Sequence, residues 1–294
     1  MTDYPAIYRS KAGYAAVMAL YDTALSQGPV PYETCFVDTR HGQTHVVMGG
    51  PTDGQPVILF HGWNGNAAGT GADFPFLFTN FRVYMPDIIG HAGRSAPHRP
   101  KPSGATYADW AGDVLDALNI PQALVMGISG GGWMTLKFAA FYPQRVVRAI
   151  AVSTDGLSPT NAWGMLRGML PAAVFPNRTT TRWFMEFATS PHTPKDRHAQ
   201  GFADAMLILL RHFKTQGNPG LLPDEELHRI TSPLLVLMGE YERLFRPRIA
   251  IERARKLIPG LVSAEIVTNA GHLITADQPE WLKQRMLRFI QDGV

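Results

Sequence analysis

Apolar runs recur along the chain at Pro56–Phe60, Phe81–Met85, Ala123–Met126, Val146–Val152, Leu234–Met238 and Ala264–Val267. Short runs of this kind, without polar alternation, predict strands buried on both faces. Between them, apolar positions repeat at helical spacing over Tyr107–Leu118, Gly131–Tyr142, Ile249–Leu257 and Pro279–Ile290. Strands alternating with helices predict a mostly parallel sheet joined by right-handed crossovers. Upstream, Glu33–Thr39 and Gln43–Met48 read as two strands joined at His41-Gly42. Tyr14, Val17, Met18, Tyr21 and Leu25 fall on one face of a helix that stops before Gly28-Pro29. The apolar stretch Ala12–Leu20 is read as part of that helix rather than as a signal peptide. No run reaches the ~18 apolar residues of a membrane span, so the expected setting is cytoplasmic.

One interval breaks the rhythm. From Asp155 to Ile230 no strand pattern occurs, yet Trp163, Met165, Leu166, Met169, Leu170, Phe175, Trp183, Phe184, Met185 and Phe187 crowd together, and a helical stretch follows at Phe202–Phe213. A structureless loop of that length is improbable inside a compact fold, so a helical insertion is expected. The natural place for it is over the C-terminal ends of the strands, where open α/β sheets put their sites. The expected organisation is therefore 1–154 and 232–294 as two parts of one α/β core, with 155–231 as a helical cap.

Composition narrows the classes. With 45% hydrophobic and 17% charged residues the chain can offset its ordering entropy, which excludes a disordered protein. A single cysteine, Cys35, excludes an intrachain disulfide and a Cys-based zinc site. A net charge of +3 with scattered basic residues does not point to nucleic acid. The densest basic segment, Arg243–Lys256, is interrupted by Glu252 and by apolar residues at helical spacing, as a solvated helix would be. His41 and His45 straddle a hairpin turn without any H-E-x-x-H context, so no metal site is expected.

The sharpest chemical signal is Gly127-Ile128-Ser129-Gly130-Gly131, a G-x-S-x-G between a strand and a helix. There the serine occupies a strained turn and projects its hydroxyl above the sheet, and the flanking glycines spare collisions with the neighbouring strand and helix. A serine hydroxyl needs a base, itself oriented by an acid. Of His192, His198, His212, His228 and His272, the histidines after Ser129, only His272 follows the last strand. The acid should leave the end of an earlier strand. Glu242 is favoured, with Glu240 near it and Asp155 after the preceding strand as competitors; Asp277 is expected to cap the final helix. His61-Gly62-Trp63, directly after Phe60, can aim the Trp63 N–H at a developing oxyanion beside the Gly130 N–H, with His61 supporting the loop. Losing one such donor costs ~3–4 kcal/mol in acyl transfer. Trp63, Phe74, Phe76 and Phe78, with the aromatic insertion, suggest either core packing or a site for apolar groups.

At these residues the chain resembles the α/β-hydrolase superfamily, and most of all its single-chain bacterial carboxylesterase-like members with an N-terminal extension. The matching pieces are Thr39-x3-Gln43-Thr-His45, His61-Gly-Trp63, Asp87-Ile-Ile-Gly90-x2-Gly93-x-Ser95, Gly127-Ile-Ser-Gly-Gly131, Gly239-Glu-Tyr-Glu242 and Gly271-His272. The resemblance implies a Ser129/Glu242/His272 triad, an oxyanion hole from Trp63 and Gly130, a helical cap and no cofactor. Serine at the nucleophile position sets the chain apart from the epoxide hydrolases and haloalkane dehalogenases of the superfamily, which carry Asp there. The acid is Glu where many relatives have Asp, and the run Gly130-Gly131-Gly132 suggests a looser turn than usual. The expected activity is hydrolysis of carboxylic esters of apolar small molecules, with Trp63, Trp163 and Trp183 as substrate contacts. Lactonase, perhydrolase or C–C hydrolase chemistry can use the same constellation, and a ligand-binding receptor could keep the fold without the reaction.

Overall fold

The computed structural model describes residues 3–194 and 197–294. Eight strands, β1 (Glu33–Thr39), β2 (Gly42–Gly49), β3 (Gln55–Phe60), β4 (Phe81–Pro86), β5 (Ala123–Ile128), β6 (Val146–Val152), β7 (Leu234–Gly239) and β8 (Leu261–Val267), form one sheet in the order β1-β2-β4-β3-β5-β6-β7-β8. β2 pairs antiparallel with β1 and β4, and all other neighbours are parallel. The helices are α1 (Lys11–Ser26), α2 (Ala67–Thr70), α3 (Thr106–Ala117), α4 (Gly130–Phe141), α5 (Ala162–Gly164), α6 (Leu170–Val174), α7 (Arg178–Ala188), α8 (Arg197–His212), α9 (Asp224–Leu227), α10 (Pro247–Leu257), α11 (Ile274–Asp277) and α12 (Pro279–Asp292). A π-helical turn, Met165–Met169, joins α5 to α6. Among the described residues no strand forms between β6 and β7, where the strand pattern lapses. No helix among the described residues is long and apolar enough to cross a membrane.

The sheet is buried on both sides because its strands alternate between two cores. Val125, Ala149, Ala151, Val236 and Met238 face α3, α4 and α10, whereas Leu124, Met126, Ile150, Val152, Leu235 and Leu237 face α12 and the segment Ala67–Phe78. β5 and β7 are buried at every residue. β8 departs from the expected doubly buried strand: it is the sheet edge, so Ala264 and Val267 are buried while Val262 and Ile266 face solvent. Phe74 and Phe78 belong to the second core with Leu77, and Phe76 packs against it, so the aromatic run after β3 is packing rather than a binding surface.

α1 is locked to the sheet by one buried tyrosine. Tyr21 donates its hydroxyl to Asp87 Oδ2 at 2.8 Å, and the same oxygen accepts from His45 Nδ1 at 3.2 Å and from the Arg94 N–H at 2.9 Å. The other oxygen takes the Ala67 N–H. Burial alone would raise the Asp87 carboxyl, but His45, His61 and the backbone donor outweigh it and hold the group below its usual range. This carboxylate organises the start of the polypeptide, β2 and the loop after β4.

α4 packs against β3, β5 and β6 and is buried along almost its whole length, including Lys137. Lys137 Nζ reaches Glu226 Oε2 at 2.6 Å and lies against the rings of Trp133 and Phe141. Breaking a buried pair strands the other charge, so Glu226→Ala is expected to cost about 3–5 kcal/mol in urea unfolding. Lys137→Met combined with Glu226→Leu should instead fall close to the wild-type value, because neither charge is then left unpaired.

Candidate active site

The chain leaves β3 for β4 on one side and returns to β5 on the other, so the loops after β3 and β5 diverge at a topological switch point. Backbone strain concentrates at this end of the sheet. Among the described residues, five non-glycine positions have left-handed φ. Four of them, Asn64, Ser129, Ser153 and Asn269, lie in loops leaving β3, β5, β6 and β8. Strain held in this way is characteristic of functional sites.

Ser129 has φ of 55° at the junction of β5 and α4. Its backbone is held by N–H donation to Val152 O and by acceptance from the Trp133 and Asp155 N–H groups. A methyl on Gly127 would overlap the Gly131 carbonyl, and one on Gly131 would overlap the Phe60 carbonyl. The flanking glycines are therefore required by the close approach of α4 to β5 and β3. The glycine run is not a loose turn: a methyl on Gly130 would sit 2.6 Å from Trp63 Cβ, and one on Gly132 2.7 Å from Thr154 Cβ. Close packing on both sides is what excludes larger residues there.

The same construction places Trp63 N only 2.7 Å from that hypothetical Gly130 methyl, so the two backbone N–H groups are neighbours. Neither donates to an acceptor among the described residues. The Trp63 loop is braced from beneath. His61 Nε2 accepts the Ile88 N–H at 2.9 Å, which leaves the proton on Nδ1 to reach Gly62 O at 2.8 Å. Burial lowers the His61 imidazole and suits this neutral form. His91, pushed well down by burial, accepts the Asn64 N–H on Nδ1 at 2.8 Å. Its Nε2 then carries the proton and lies 2.9 Å from Gln216 Nε2, so the amide must turn its oxygen to that side to accept it. Asn64 and Gln216 also exchange side-chain-to-backbone bonds of 3.0 and 2.9 Å, and Trp63 Nε1 donates to Gly217 O at 2.8 Å. His91, Asn64 and Gln216 escaped the sequence reading; the pattern around them contains no motif that names them.

Across the site, His272 Nδ1 faces Glu242 Oε2 at 2.7 Å, and both side chains are buried. Glu242 Oε1 is occupied by the Leu244 and Phe245 N–H groups at 2.7 and 3.3 Å, which fixes the carboxylate plane. The ring of Phe245 packs 5.5 Å from that of His272. Burial disfavours the imidazolium, but the charge and hydrogen bond of Glu242, with the charge of Asp155, outweigh it and raise His272 above its ordinary range. Neither of the other two candidate carboxylates is hydrogen-bonded to His272 among the described residues. Glu240 accepts the Asn269 N–H, and Asp155 Oδ1 accepts the Gly156 N–H. Asp155 is buried and pushed up to about 6 by desolvation, against the Gly156 bond and the charge of His272. Asp277 does not cap α12: that helix has no side-chain cap, and the carboxylate binds Gly271, Ser190 and Thr193.

Not every expected site residue joins this group. Trp163 and Trp183 are 72% and 52% exposed, and the Trp183 indole donates to Arg167 O. Neither makes a hydrogen bond or ring contact with Ser129, His272 or Glu242. Ser129 Oγ likewise forms no hydrogen bond to a described residue. Of the other histidines after Ser129, His192 meets the Tyr241 hydroxyl at 3.3 Å, and the His198 side chain lies outside the described residues. No cluster of three or more metal-ligating side chains occurs among the described residues.

Residues 57–285 match the model of the alpha/beta hydrolase family. Carboxylesterase YbfK of Bacillus subtilis is 32% identical over 286 residues, covering 93% of each chain. The crystal structure of that protein, CesB (YbfK), superimposes with a TM-score of 0.82 at 30% identity, over 96% of this chain and all of the other. The naproxen esterase (carboxylesterase NP) of B. subtilis gives a TM-score of 0.82 at 28% identity, over 94% of this chain and 98% of that one. The switch point in the strand order, the strained serine between β5 and α4, and full-length similarity to these two proteins agree: the chain belongs to the α/β hydrolase family and, within it, to the carboxylesterase-like serine hydrolases.

Proposed function

We propose that this protein hydrolyses carboxylic esters of apolar small molecules, with Ser129 as nucleophile, His272 as general base and Glu242 as the acid that orients the base. The observation that carries the reading is the buried 2.7 Å pair of His272 and Glu242, present at the same sheet end as a serine on a left-handed turn. Ester hydrolysis is also the activity named for the B. subtilis relatives.

In this reaction Ser129 Oγ bonds to the ester carbonyl carbon while His272 Nε2 takes its proton. The oxygen that becomes negative is held by the Trp63 and Gly130 N–H groups, donors left free by the fold. Collapse of the tetrahedral species breaks the bond to the alkoxy group, which leaves as the alcohol with the proton from His272. Water, deprotonated by His272, then attacks the acyl-enzyme; the carboxylic acid departs and the proton returns to Ser129. Glu242 keeps the proton of neutral His272 on Nδ1 and stabilises the imidazolium. The serine–base bond of such sites commonly tightens only in the Michaelis complex. The mechanism calls on no cofactor.

Residues 155–231 act in this reading as a cap, since Ala188 near its middle holds the His272 backbone and Gln216–Gly217 holds the Trp63 loop. Trp63, beside Gly130, supplies apolar surface for the substrate, and the exposed Trp163 and Trp183 of the insertion can add to it only if the substrate reaches beyond the triad. Exposure to a fluorophosphonate probe, followed by peptide mass spectrometry, is expected to place a single stable adduct on Ser129. A receptor that merely kept the fold would leave Ser129 unmodified.

A further inference from the structure

The loop that carries His272 is bonded to the helical insertion as well as to the loop after β7. The His272 and Leu273 N–H groups both donate to Ala188 O, the last carbonyl of α7, at 2.7 and 3.2 Å. A methyl on Gly271 would lie 2.5 Å from that carbonyl and 3.0 Å from Ser190 N, so the two backbones touch. Asp277 spans the junction. Its Oδ2 accepts the Gly271 N–H at 2.6 Å from the histidine loop and the Ser190 N–H at 2.9 Å from the segment after α7. Its Oδ1 accepts the Thr193 hydroxyl. All three donors are neutral, and no cation pairs with this carboxylate among the described ion pairs.

We propose that Asp277 is a positioning residue for the base: it clamps the His272 loop to the end of α7, so that the helical insertion determines where the imidazole stands. The proposal rests on the reading of His272 as the base. A carboxylate suits the task because one oxygen can accept two backbone N–H groups while the other takes a hydroxyl. An asparagine can do almost the same: its amide oxygen accepts the two N–H groups and its amide N–H donates to Thr193, whose hydroxyl turns to receive it. An alanine leaves two backbone donors without an acceptor and loosens the loop, which keeps its bonds to Ala188 O.

The groups facing His272 are Glu242 from the loop after β7 and Asp155 from the loop after β6. Asp277 acts on it only through the backbone of Gly271. A misplacement near 1 Å at a reacting group can cost about a hundredfold. Kinetics on p-nitrophenyl butyrate, normalised to Ser129 titrated with a fluorophosphonate, provide the test. Asp277→Ala is expected to lower kcat by about ten- to a hundredfold with KM within about threefold. The acid limb of its kcat/KM profile should move to lower pH, because a loosened loop weakens the Glu242–His272 pair that holds the imidazole up. Asp277→Asn should recover to within about threefold of wild type, and Thr193→Val, which removes one bond of the three, should fall between. The proposal is overturned if titrated Asp277→Ala sites turn over at the wild-type rate with an unmoved acid limb, whatever the melting temperature. It is also overturned if Asp277→Asn is as impaired as alanine, since charge rather than hydrogen bonding would then be at work. If Asp277→Ala does not fold, the Asn and Val variants decide between these outcomes. Wild-type protein that refuses the probe would sink the assignment of His272 as base, and this proposal with it.

Discussion

Replacing Ser129 with alanine is expected to lower kcat on a p-nitrophenyl ester by about 10⁵- to 10⁶-fold, the scale on which removal of a triad nucleophile acts. Alanine keeps a Cβ at the left-handed position, so the turn is no more strained than before, and the lost hydroxyl made no hydrogen bond to a described residue. Stability should therefore stay within about 0.5 kcal/mol, as for substitutions that disturb no packing or bonded group. The oxyanion donors and the binding surface remain, and they typically leave about 10³-fold acceleration over water. Single-turnover assays of the purified variant should accordingly show no acyl-enzyme burst. Turnover within tenfold of wild type would mean that the hydroxyl is a bystander and that another group attacks the ester.

Glu242→Gln is expected to cost about 10⁴ in kcat, because it installs the wrong tautomer of the base. The reason is local. Oε1 of Glu242 is already engaged by the Leu244 and Phe245 N–H groups, so the amide oxygen of glutamine will occupy that place and its NH2 will face His272. An N–H pointing at Nδ1 favours the proton on Nε2, the atom that must receive it from Ser129. The pH dependence should change as well. In the wild type the net effect on His272 is upward from an ordinary value near 6.5. The imidazole acts as base only when neutral, so wild-type kcat/KM should fall as pH drops through a pKa above the ordinary one. Removing the charge and the acceptor together leaves burial to dominate, with only Asp155 opposing it, and the acid limb should move to lower pH. An acid limb that stays in place in Glu242→Gln would show that the limb reports some other group.

Periodicity along the chain was enough for the sheet because strand burial is a local property. β3, β5 and β7 carry apolar residues at successive positions, and a strand so composed has to be covered on both faces. G-x-S-x-G was readable for a related reason: its glycines answer to collisions with Gly131 and Phe60, atoms whose positions follow once a strand turns directly into a helix. β8 was read less well. Ala264 and Val267 look like their counterparts in β7, and only the strand order shows that one flank of β8 is open. The Phe74–Phe78 stretch gave no hint of its role either, since an aromatic residue wanted by the core and one wanted by a substrate have the same hydrophobicity.

By itself, then, the order of residues determined the parallel architecture, the helical interval between β6 and β7, and the serine at the head of α4. These follow from propensities and clashes that act over a few residues. Which carboxylate meets His272, how His91 and Gln216 brace the Trp63 loop, and why Asp277 sits beside Gly271 were decided only by tertiary structure. Those partners are far apart in sequence or depend on how separate loops fold over one end of the sheet, and no local pattern encodes the distance between two loops.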